Sequence, residues 1–305
     1  AAITINTNLA SLTCQKYLTS ATKGMNTAME QLSTGFRINS AKDDAAGTVI
    51  SARMKVQLNG NEIAQKNVQN ASALLSTVEG NIDVISENVS RIRDLTLQAK
   101  NGTYSDEEIE AMDDEVQQRI AEINRVHESA KFSSLDLFSS NKTTDGTLAK
   151  DGAKFQVGSD AGENNTITAD KSIFQSVKFS AISGLAANFS LKTLKNTTSG
   201  TLTATGVTKQ TGDTDFDVAV RALDKAIDNL SDRKSQIGSA GNRLDSALST
   251  LTTQYENLSS SNSLITDADI ASEASKFTQN QILQQISTSL LAQANSAPSI
   301  AMSLV

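Results

Sequence analysis

A long stretch in the first half of the chain carries apolar residues at alternating steps of three and four. This spacing is typical of a heptad seam, in which one stripe of a helix packs against another helix. The positions are Val68, Ala71, Leu75, Val78, Ile82, Ile85, Val89 and Ile92. A second helical pattern follows at Ile109, Met112, Val116, Ile120, Ile123 and Val126. The link at 101–105 contains a glycine and predicts a turn, so we expect the two helices to pair antiparallel.

The last third of the chain repeats the pattern over a longer span, interrupted only by Lys234, Gly241 and Asn262. Its apolar positions are Phe216, Val220, Leu223, Ile227, Leu230, Ile237, Leu244, Leu248, Leu251, Tyr255, Leu258 and Ile265. A helix of this length reaches roughly 75 Å, which is far more than one compact domain needs. We expect its seam to be buried by the other two.

The region 139–214 has a different character, because eight of the sixteen glycines fall there together with many Thr, Ser, Asn and Lys residues. Helix is not expected. Short alternating runs at 154–157, 166–168 and 176–179 predict two or three β-hairpins. The stretch 196–213 has almost no apolar period and is predicted to be an exposed loop or a weak hairpin.

Each end of the chain carries one amphipathic helical pattern, at residues 1–33 and 267–305. The first includes Ile5, Leu9, Leu12 and Leu32, and the second includes Phe277, Ile282, Ile286 and Leu290. Neither pattern has a partner nearby in the sequence. Two alternatives stay open: the stripes pack on the central body, or they pair with each other and with neighbouring copies.

Composition limits the classes of function. The formal charge of -7 and the pI near 4.9 leave no general positive field, so neither nucleic acid nor an anionic membrane is an expected partner. No apolar run approaches the length of a membrane span, and residues 1–26 lack a Sec leader pattern. The single cysteine, Cys14, cannot form an internal disulfide, and cytoplasmic synthesis is expected. The single proline, Pro298, permits long helices.

Candidate chemistry is scarce. His127 is the only histidine, so neither a His-Glu-x-x-His zinc site nor a Ser-His-Asp triad can form, and we expect His127 at a helix end. Acidic pairs such as Asp43-Asp44 and Asp113-Asp114 lie in predicted helix starts or on helix faces. The glycines of 139–214 lack phosphate-loop spacing. We therefore predict no catalytic residue, no metal and no cofactor, and a protein that is not an enzyme.

The segment 32–47, LSTGFRINSAKDDAAG, resembles the N-terminal signature of bacterial flagellins almost letter for letter. It is accompanied by INTN at 5–8, QILQQ at 281–285 and LAQAN at 291–295, in the order and spacing of that family. The set covers both ends of the chain. Chance does not supply such a combination.

The residues of the signature also have a physical interpretation. Gly35 suits the position just past a helix end, and Ser40 with Asp43 suits an N-cap and an acidic first turn of the next helix. The segment 266–269, TDAD, gives a similar start signal on the C-terminal side. We expect a jointed connector between two helices at each place.

The resemblance implies a mainly α fold, an elongated helical hairpin or coiled-coil bundle with a small β-hairpin region and with the N- and C-termini paired. It implies an inner core from 1–40 and 266–305 that lines the filament channel. It also implies an outer core from 41–180 and 215–265, and a reduced variable segment at 181–214.

The function implied by the resemblance is that of a structural subunit which polymerises into the flagellar filament for motility. The implied partners are further copies in a helical homopolymer, a flagellar export chaperone, hook-associated and cap proteins, and Toll-like receptor 5. Export unfolded through the flagellar type III pathway and an extracellular location follow from the same resemblance. The apolar residues named above for the two ends are the expected polymerisation surface.

Five residues match, position by position, the flagellin surface that Toll-like receptor 5 recognises: Arg91, Leu95, Gln98, Glu115 and Arg119. The first three are spaced four and three apart, so we expect them along one exposed side of their helix, separate from the core seam. Lateral packing between subunits is the alternative role of this face, and both roles stay open.

Two other interpretations stay open. A hook–filament junction protein would share the terminal helices, and a flagellin carrying an enzymatic insertion would place its activity in 139–214. Long filaments from purified protein would separate the first from a flagellin.

Overall fold

The computed structural model describes residues 8–138, 148, 152–186, 189–196, 204–205, 207 and 213–302. The helices are α1 (Leu9–Thr34), α2 (Ala45–Lys100), α3 (Asp106–Ser129), α4 (Phe179–Ser183), α5 (Leu191–Asn196), α6 (Asp215–Thr266) and α7 (Ile270–Met302). The strands are β1 (Lys131–Phe132), β2 (Leu135–Asp136), β3 (Ala153–Gln156) and β4 (Thr166–Ala169). The mainly α prediction is confirmed.

The chain divides into two compact units. The terminal unit comprises Ala1–Asn59 and Gln254–Val305, and the central unit comprises Gly60–Thr253. The two divisions fall within α2 and α6. This division does not test the predicted boundaries of the inner core and the outer core, which stay a prediction.

The core of the central unit is built on the predicted seams. All eight seam positions of α2 are no more than 2% exposed. On α3, Met112 is half-buried and the other five positions are buried. Since burial of apolar surface is the main favourable term in folding, these seams hold the unit together.

Side-chain pairs show the direction in which the helices of the central unit run. Asp83 of α2 pairs with Lys234 of α6, and Arg93, ten residues later on α2, pairs with Asp224, ten residues earlier on α6. On the other side of α2, Arg91 pairs with Glu115 and Asn88 with Arg119 of α3. Both neighbours are therefore antiparallel to α2, as predicted for α3.

The buried side of α6 is broader than its predicted seam. Val220 and Ile227 are only half-buried, whereas four positions outside the seam are buried together with the seam residues Leu223 and Leu230. The enclosed positions are Val218, Ala219, Ala222, Leu223, Ala226 and Leu230. The reason is a second neighbour: the Arg233 guanidinium of α6 donates to the Gln175 carbonyl oxygen at 2.9 Å. A helix packed on two sides buries a wider stripe than one heptad seam.

One predicted hairpin in 139–214 is confirmed, because β3 and β4 pair antiparallel with Phe155 opposite Ile167. The strand predicted at 176–179 is wrong, since this segment is irregular up to Phe179, where α4 begins. The expectation that this region lacks helix is also wrong, given α4 and α5. Their buried residues recur at helical steps of three, as in Phe179 and Ile182, within a Ser- and Lys-rich sequence that hides the period. Most of 196–213 lies outside the described residues.

Within the terminal unit, α1 and α7 pair along most of their lengths. The Asn8 side-chain amide donates to the Ala294 carbonyl oxygen at 2.7 Å, and the Gln284 amide donates to Thr22 Oγ1 at 3.3 Å, so the helices are antiparallel. Of the two alternatives for the ends, pairing with each other is the one observed. Contact with neighbouring copies stays a prediction.

A joint in the terminal unit connects α1 to α2 and α6 to α7. The Arg37 amide donates to the Thr266 carbonyl oxygen at 2.7 Å, its guanidinium donates to the Ile265 carbonyl oxygen at 2.5 Å, and the Ala268 amide donates to the Gly35 carbonyl oxygen at 2.9 Å. The two connectors predicted from the signature are thus bound to each other.

The helix ends at this joint confirm one prediction and correct another. Gly35 closes α1 in the left-handed conformation at φ 75°, as predicted. The N-cap of α2 is Asp44 rather than Ser40, because its Oδ1 accepts from the Gly47 amide at 2.9 Å. The Asp43 carboxylate instead accepts from the amide and hydroxyl of Ser40, and the backbone bond lowers the Asp43 pKa. Asp43 therefore closes the turn at 40–43, which precedes the helix, and Asp44 caps the helix itself.

Neighbouring residues of α2 provide a matched test of the seam. The side chain of Ile85 is 0% exposed and that of Val84 is 42% exposed. Ile85→Ala should lower the free energy of unfolding of the central unit by about 2–5 kcal/mol, because truncation leaves a cavity. Val84→Ala should change it by less than about 0.5 kcal/mol. Urea unfolding measures both, and equal losses would contradict the seam.

Candidate functional site

The seam between α1 and α7 is unusually polar on the α7 side. Its least exposed positions follow steps of four and three, which is the heptad period. They are Glu273, Phe277, Asn280, Gln284, Ser287, Leu291 and Ala294. On α1 the corresponding positions are Ser11, Cys14, Leu18, Ala21, Met25, Ala28 and Leu32. Polar side chains on one helix thus face small or medium-sized residues on the other.

The larger apolar side chains in the middle of α7 lie on its exposed surface instead. Ile282, Leu283, Ile286 and Leu290 are 44 to 54% exposed and follow one side of the helix, and we call them the α7 stripe. A shallow groove lined by Ala274, Ser275, Thr278 and Gln279 continues from Ile282 and Leu283. Contiguous exposed apolar surface of this kind usually marks an interaction site.

The eight residues predicted for polymerisation are not all in one place. Ile282, Ile286 and Leu290 come together in the α7 stripe, and Leu9 and Leu12 are exposed on α1. Phe277 and Leu32 are half-buried positions of the α1–α7 seam. Ile5 lies outside the described residues. Leu283, an apolar residue of the predicted C-terminal pattern that is not among these eight, also belongs to the stripe and lies three residues before Ile286.

A polar face of the central unit contains four of the five residues predicted for receptor recognition. The Arg91 guanidinium makes two bonds to the Glu115 carboxylate, at 2.9 and 3.1 Å. Arg119 donates to the same carboxylate at 3.0 Å and to the Asn88 side-chain oxygen at 3.1 Å. Gln98 is exposed and donates to the Tyr104 hydroxyl at 2.9 Å. We call Arg91, Gln98, Glu115 and Arg119 the recognition face.

Electrostatics favours a fixed geometry for this face. The hydrogen bond from Arg91 lowers the pKa of the Glu115 carboxyl, and the same hydrogen bond raises the pKa of the Arg91 guanidinium. A carboxylate shared by two guanidinium groups stays ionised at neutral pH, and bidentate Arg–carboxylate pairs are geometrically specific. The three side chains therefore bridge α2 and α3 as one charged cluster.

The prediction that Leu95 lies on this exposed side is wrong. Its side chain is 2% exposed and belongs to the core together with Ile92 and Ala99. The cause is that α2 packs between α3 and α6 here, so its buried stripe widens. The signal was available in the sequence, since Leu95 follows Ile92 by three and precedes Ala99 by four.

Other candidate chemistry is consistent with a structural role. His127 lies in the last turn of α3, as predicted, and its Nδ1 accepts from the Val177 amide at 3.5 Å. Burial lowers the His127 pKa. Among the described residues, no three His, Cys, Asp or Glu side chains gather as metal ligands. No helix in that part of the chain is long and apolar enough to cross a membrane.

Known proteins resemble the chain over its whole length. The bacterial flagellin N-terminal helical region matches residues 5–143, and the flagellin C-terminal helical region matches residues 220–305. Flagellin D of Vibrio cholerae serotype O1 is 31% identical over 383 aligned residues, with 100% of each chain covered. The flagellin of Bacillus subtilis strain 168 is 33% identical, with 96% of this chain and 97% of the relative covered.

A solved structure shares the fold. It belongs to a Vibrio parahaemolyticus protein described as flagellar hook-associated, with a TM-score of 0.54 and 16% identity. The similarity covers 73% of this chain and 99% of that one. At this identity it shows the fold alone.

The family matches decide the class of protein. Flagellin is a family of structural proteins of the flagellar filament, so the expectation of a protein that is not an enzyme is confirmed by the family. The chain belongs to the bacterial flagellin family, whose members build the extracellular filament used for motility.

Proposed function

We propose that this filament subunit polymerises through the α7 stripe and the exposed apolar residues of α1. The observation that carries the proposal is that the four large apolar side chains of the α7 stripe are about half exposed. The seam of α7 with α1 contains the polar residues Glu273, Asn280, Gln284 and Ser287 beside Phe277 and Leu291. The predicted residues Leu32 and Phe277 support the surface from the α1–α7 seam, and Ile5 lies outside the described part. In the same proposal, the inner core comprises 1–40 and 266–305.

The energy available at the stripe suits assembly. Complete burial of a Leu or Ile side chain stabilises by about 1.5–3 kcal/mol, and about half of each stripe side chain is still exposed. Covering the four residues therefore contributes a few kcal/mol per subunit, and a helical homopolymer repeats the gain in every copy. Additional contacts between subunits supply the rest of the free energy of assembly.

Leu290→Asp tests the stripe. A carboxylate at this position would be buried without a partner in every subunit contact, which costs several kcal/mol per copy. We expect loss of filaments in negative-stain microscopy after seeding, while the circular dichroism melt of the central unit stays unchanged.

Gln285→Asp is the matched control, because it introduces the same charge on the same helix. Five residues separate it from Leu290, which is about 140° around a helix, and Gln285 is exposed outside the stripe. This variant should still polymerise. Normal filaments from Leu290→Asp would contradict the placement of the interface.

We propose that the same polar seam favours export, because it makes the ends of the chain easy to unfold. Isolated helices are marginal in water, and Glu273, Asn280 and Gln284 interrupt the apolar contact of α7 with α1. The ends of the monomer should therefore unfold readily for the flagellar type III pathway. The α7 stripe offers a flagellar export chaperone an apolar helix face. Hook-associated and cap proteins would meet the subunit through the same terminal helices.

We further propose that Toll-like receptor 5 binds the recognition face of the monomer and that neighbouring subunits cover this face in the filament. A central arginine with fixed geometry is a typical hot spot. Leu95 is buried in the core of the same helix, so its side chain is not available for a receptor contact. Truncation of Leu95 would therefore act through stability rather than through a lost receptor contact.

Arg91→Ala tests this face. Loss of a hot-spot arginine costs about 2 kcal/mol or more, or roughly thirtyfold in affinity. We expect that decrease in binding of monomer to the receptor ectodomain by surface plasmon resonance. The exposed pair between Arg91 and Glu115 stabilises little, so the melting temperature should move by only a few degrees.

Arg125→Ala is the control for the loss of an exposed arginine. Arg125 is on α3 and pairs with Glu122 at 2.6 Å. Six residues separate it from Arg119, which is about 120° around a helix. The Arg125→Ala variant should bind the receptor with the affinity of the wild type. Equal affinity of Arg91→Ala and wild type, or equal affinity of filament and monomer, would overturn the assignment without affecting membership of the family.

A further inference from the structure

Two Asn-Gly sequences occur in the chain, and they lie in different environments. Asn101-Gly102 is in the turn between α2 and α3, and Asn59-Gly60 is in the middle of α2. Asn-Gly is the dipeptide in which a backbone amide reaches the preceding side chain most easily, because glycine has no Cβ. The surroundings then decide whether the two groups can meet.

The turn leaves Asn101-Gly102 unprotected. Both residues are exposed, and a methyl group placed on Gly102 would meet no atom within 4 Å. In the part of the chain that the structure describes, neither the Asn101 side chain nor the Gly102 amide is hydrogen-bonded. Only the Asn101 amide is held, by the Gln98 carbonyl oxygen at 3.1 Å.

We propose that Asn101 is a site of spontaneous deamidation. The Gly102 backbone nitrogen loses its proton and attacks the Asn101 Cγ, a new C–N bond closes a five-membered succinimide, and the Cγ–Nδ2 bond breaks to release ammonia. Water then opens the ring at either carbonyl and leaves aspartate or isoaspartate. The net change replaces an amide by a carboxylate and consumes one water, with no oxidant or reductant.

Asn59-Gly60 is protected in two ways. Within α2 the Gly60 amide donates to the helix backbone, and helical torsion angles keep the Asn59 Cγ away from that nitrogen. Ser159 also packs on Gly60, where an added Cβ would lie 2.7 Å from the Ser159 Cβ. The chain therefore contains its own control for the influence of structure.

The modification changes the end of α2. A carboxylate at 101 lies at the helix C-terminus, where the macrodipole disfavours negative charge, and isoaspartate lengthens the main chain by one methylene. Gln98 of the recognition face lies three residues before it. An effect on receptor binding rests on the proposed function, whereas the deamidation itself does not.

The full chain is incubated in mildly alkaline buffer, sampled over time and digested briefly at mildly acidic pH. Peptide mass spectrometry then follows the tryptic peptides 101–119 and 56–66, which carry the two Asn-Gly sequences. We expect the roughly one-dalton gain of deamidation to accumulate at Asn101 and to be absent at Asn59. In urea, both peptides should gain it.

Gly102→Val provides the matched variant, since the open space at Gly102 accepts the side chain while its branching obstructs the attack. The gain at Asn101 should disappear. The proposal would be overturned if the native chain showed no mass gain at Asn101, or an equally fast mass gain at Asn59. A mass gain at residue 101 that persists in Gly102→Val would overturn it as well. None of these results depends on receptor binding, so failure of the proposed function is distinguished.

Discussion

Burial of apolar side chains is the constraint on which the two units of this flagellin depend, and each unit meets it differently. In the central unit, Ile82, Ile85 and Val89 are enclosed by the chain itself. In the terminal unit, Ile286 and Leu290 of α7 are about half exposed, while polar residues such as Gln284 lie beside Phe277 and Leu291 in the seam with α1. This difference is the basis of our proposal that the ends of the chain are completed by contacts with further subunits.

The recognition face shows how a rigid core supports a polar surface. Ile92 and Leu95 of α2 are buried in the core, and Arg91 of the same helix pairs with Glu115 of α3 at the surface. The packed seam fixes the spacing of α2 and α3, so the guanidinium group meets the carboxylate without much loss of side-chain freedom. Exposed ion pairs alone contribute little to stability, and here the geometry comes from the helices.

The sequence predicted the parts of the fold that have an uninterrupted apolar period or a clear helix-end signal. The α2 and α3 seams are of the first kind, and Gly35 at the end of α1 is of the second. It was less successful where a helix has two neighbours, as at Leu95 and Val220, because a heptad marks one contact and not the width of the buried side. The N-cap was predicted at Ser40 and lies at Asp44, because Ser40 donates to the Asp43 carboxylate in the preceding turn and Asp44 accepts from the Gly47 amide. Which residues of α7 face α1 was not evident, since its polar seam and its apolar stripe have the same period.

Amide hydrogen exchange on monomer and on filament tests the central claim most directly. The account predicts slow exchange along the α2 and α3 seams in both states, because these seams are buried within one chain. In monomer, α1 and α7 should exchange many times faster, since their polar seam opens at little cost. In filament, the amides of α7 should become as protected as those of α2. Protection of α7 in monomer equal to that of the α2 seam, or no gain on polymerisation, would contradict the account.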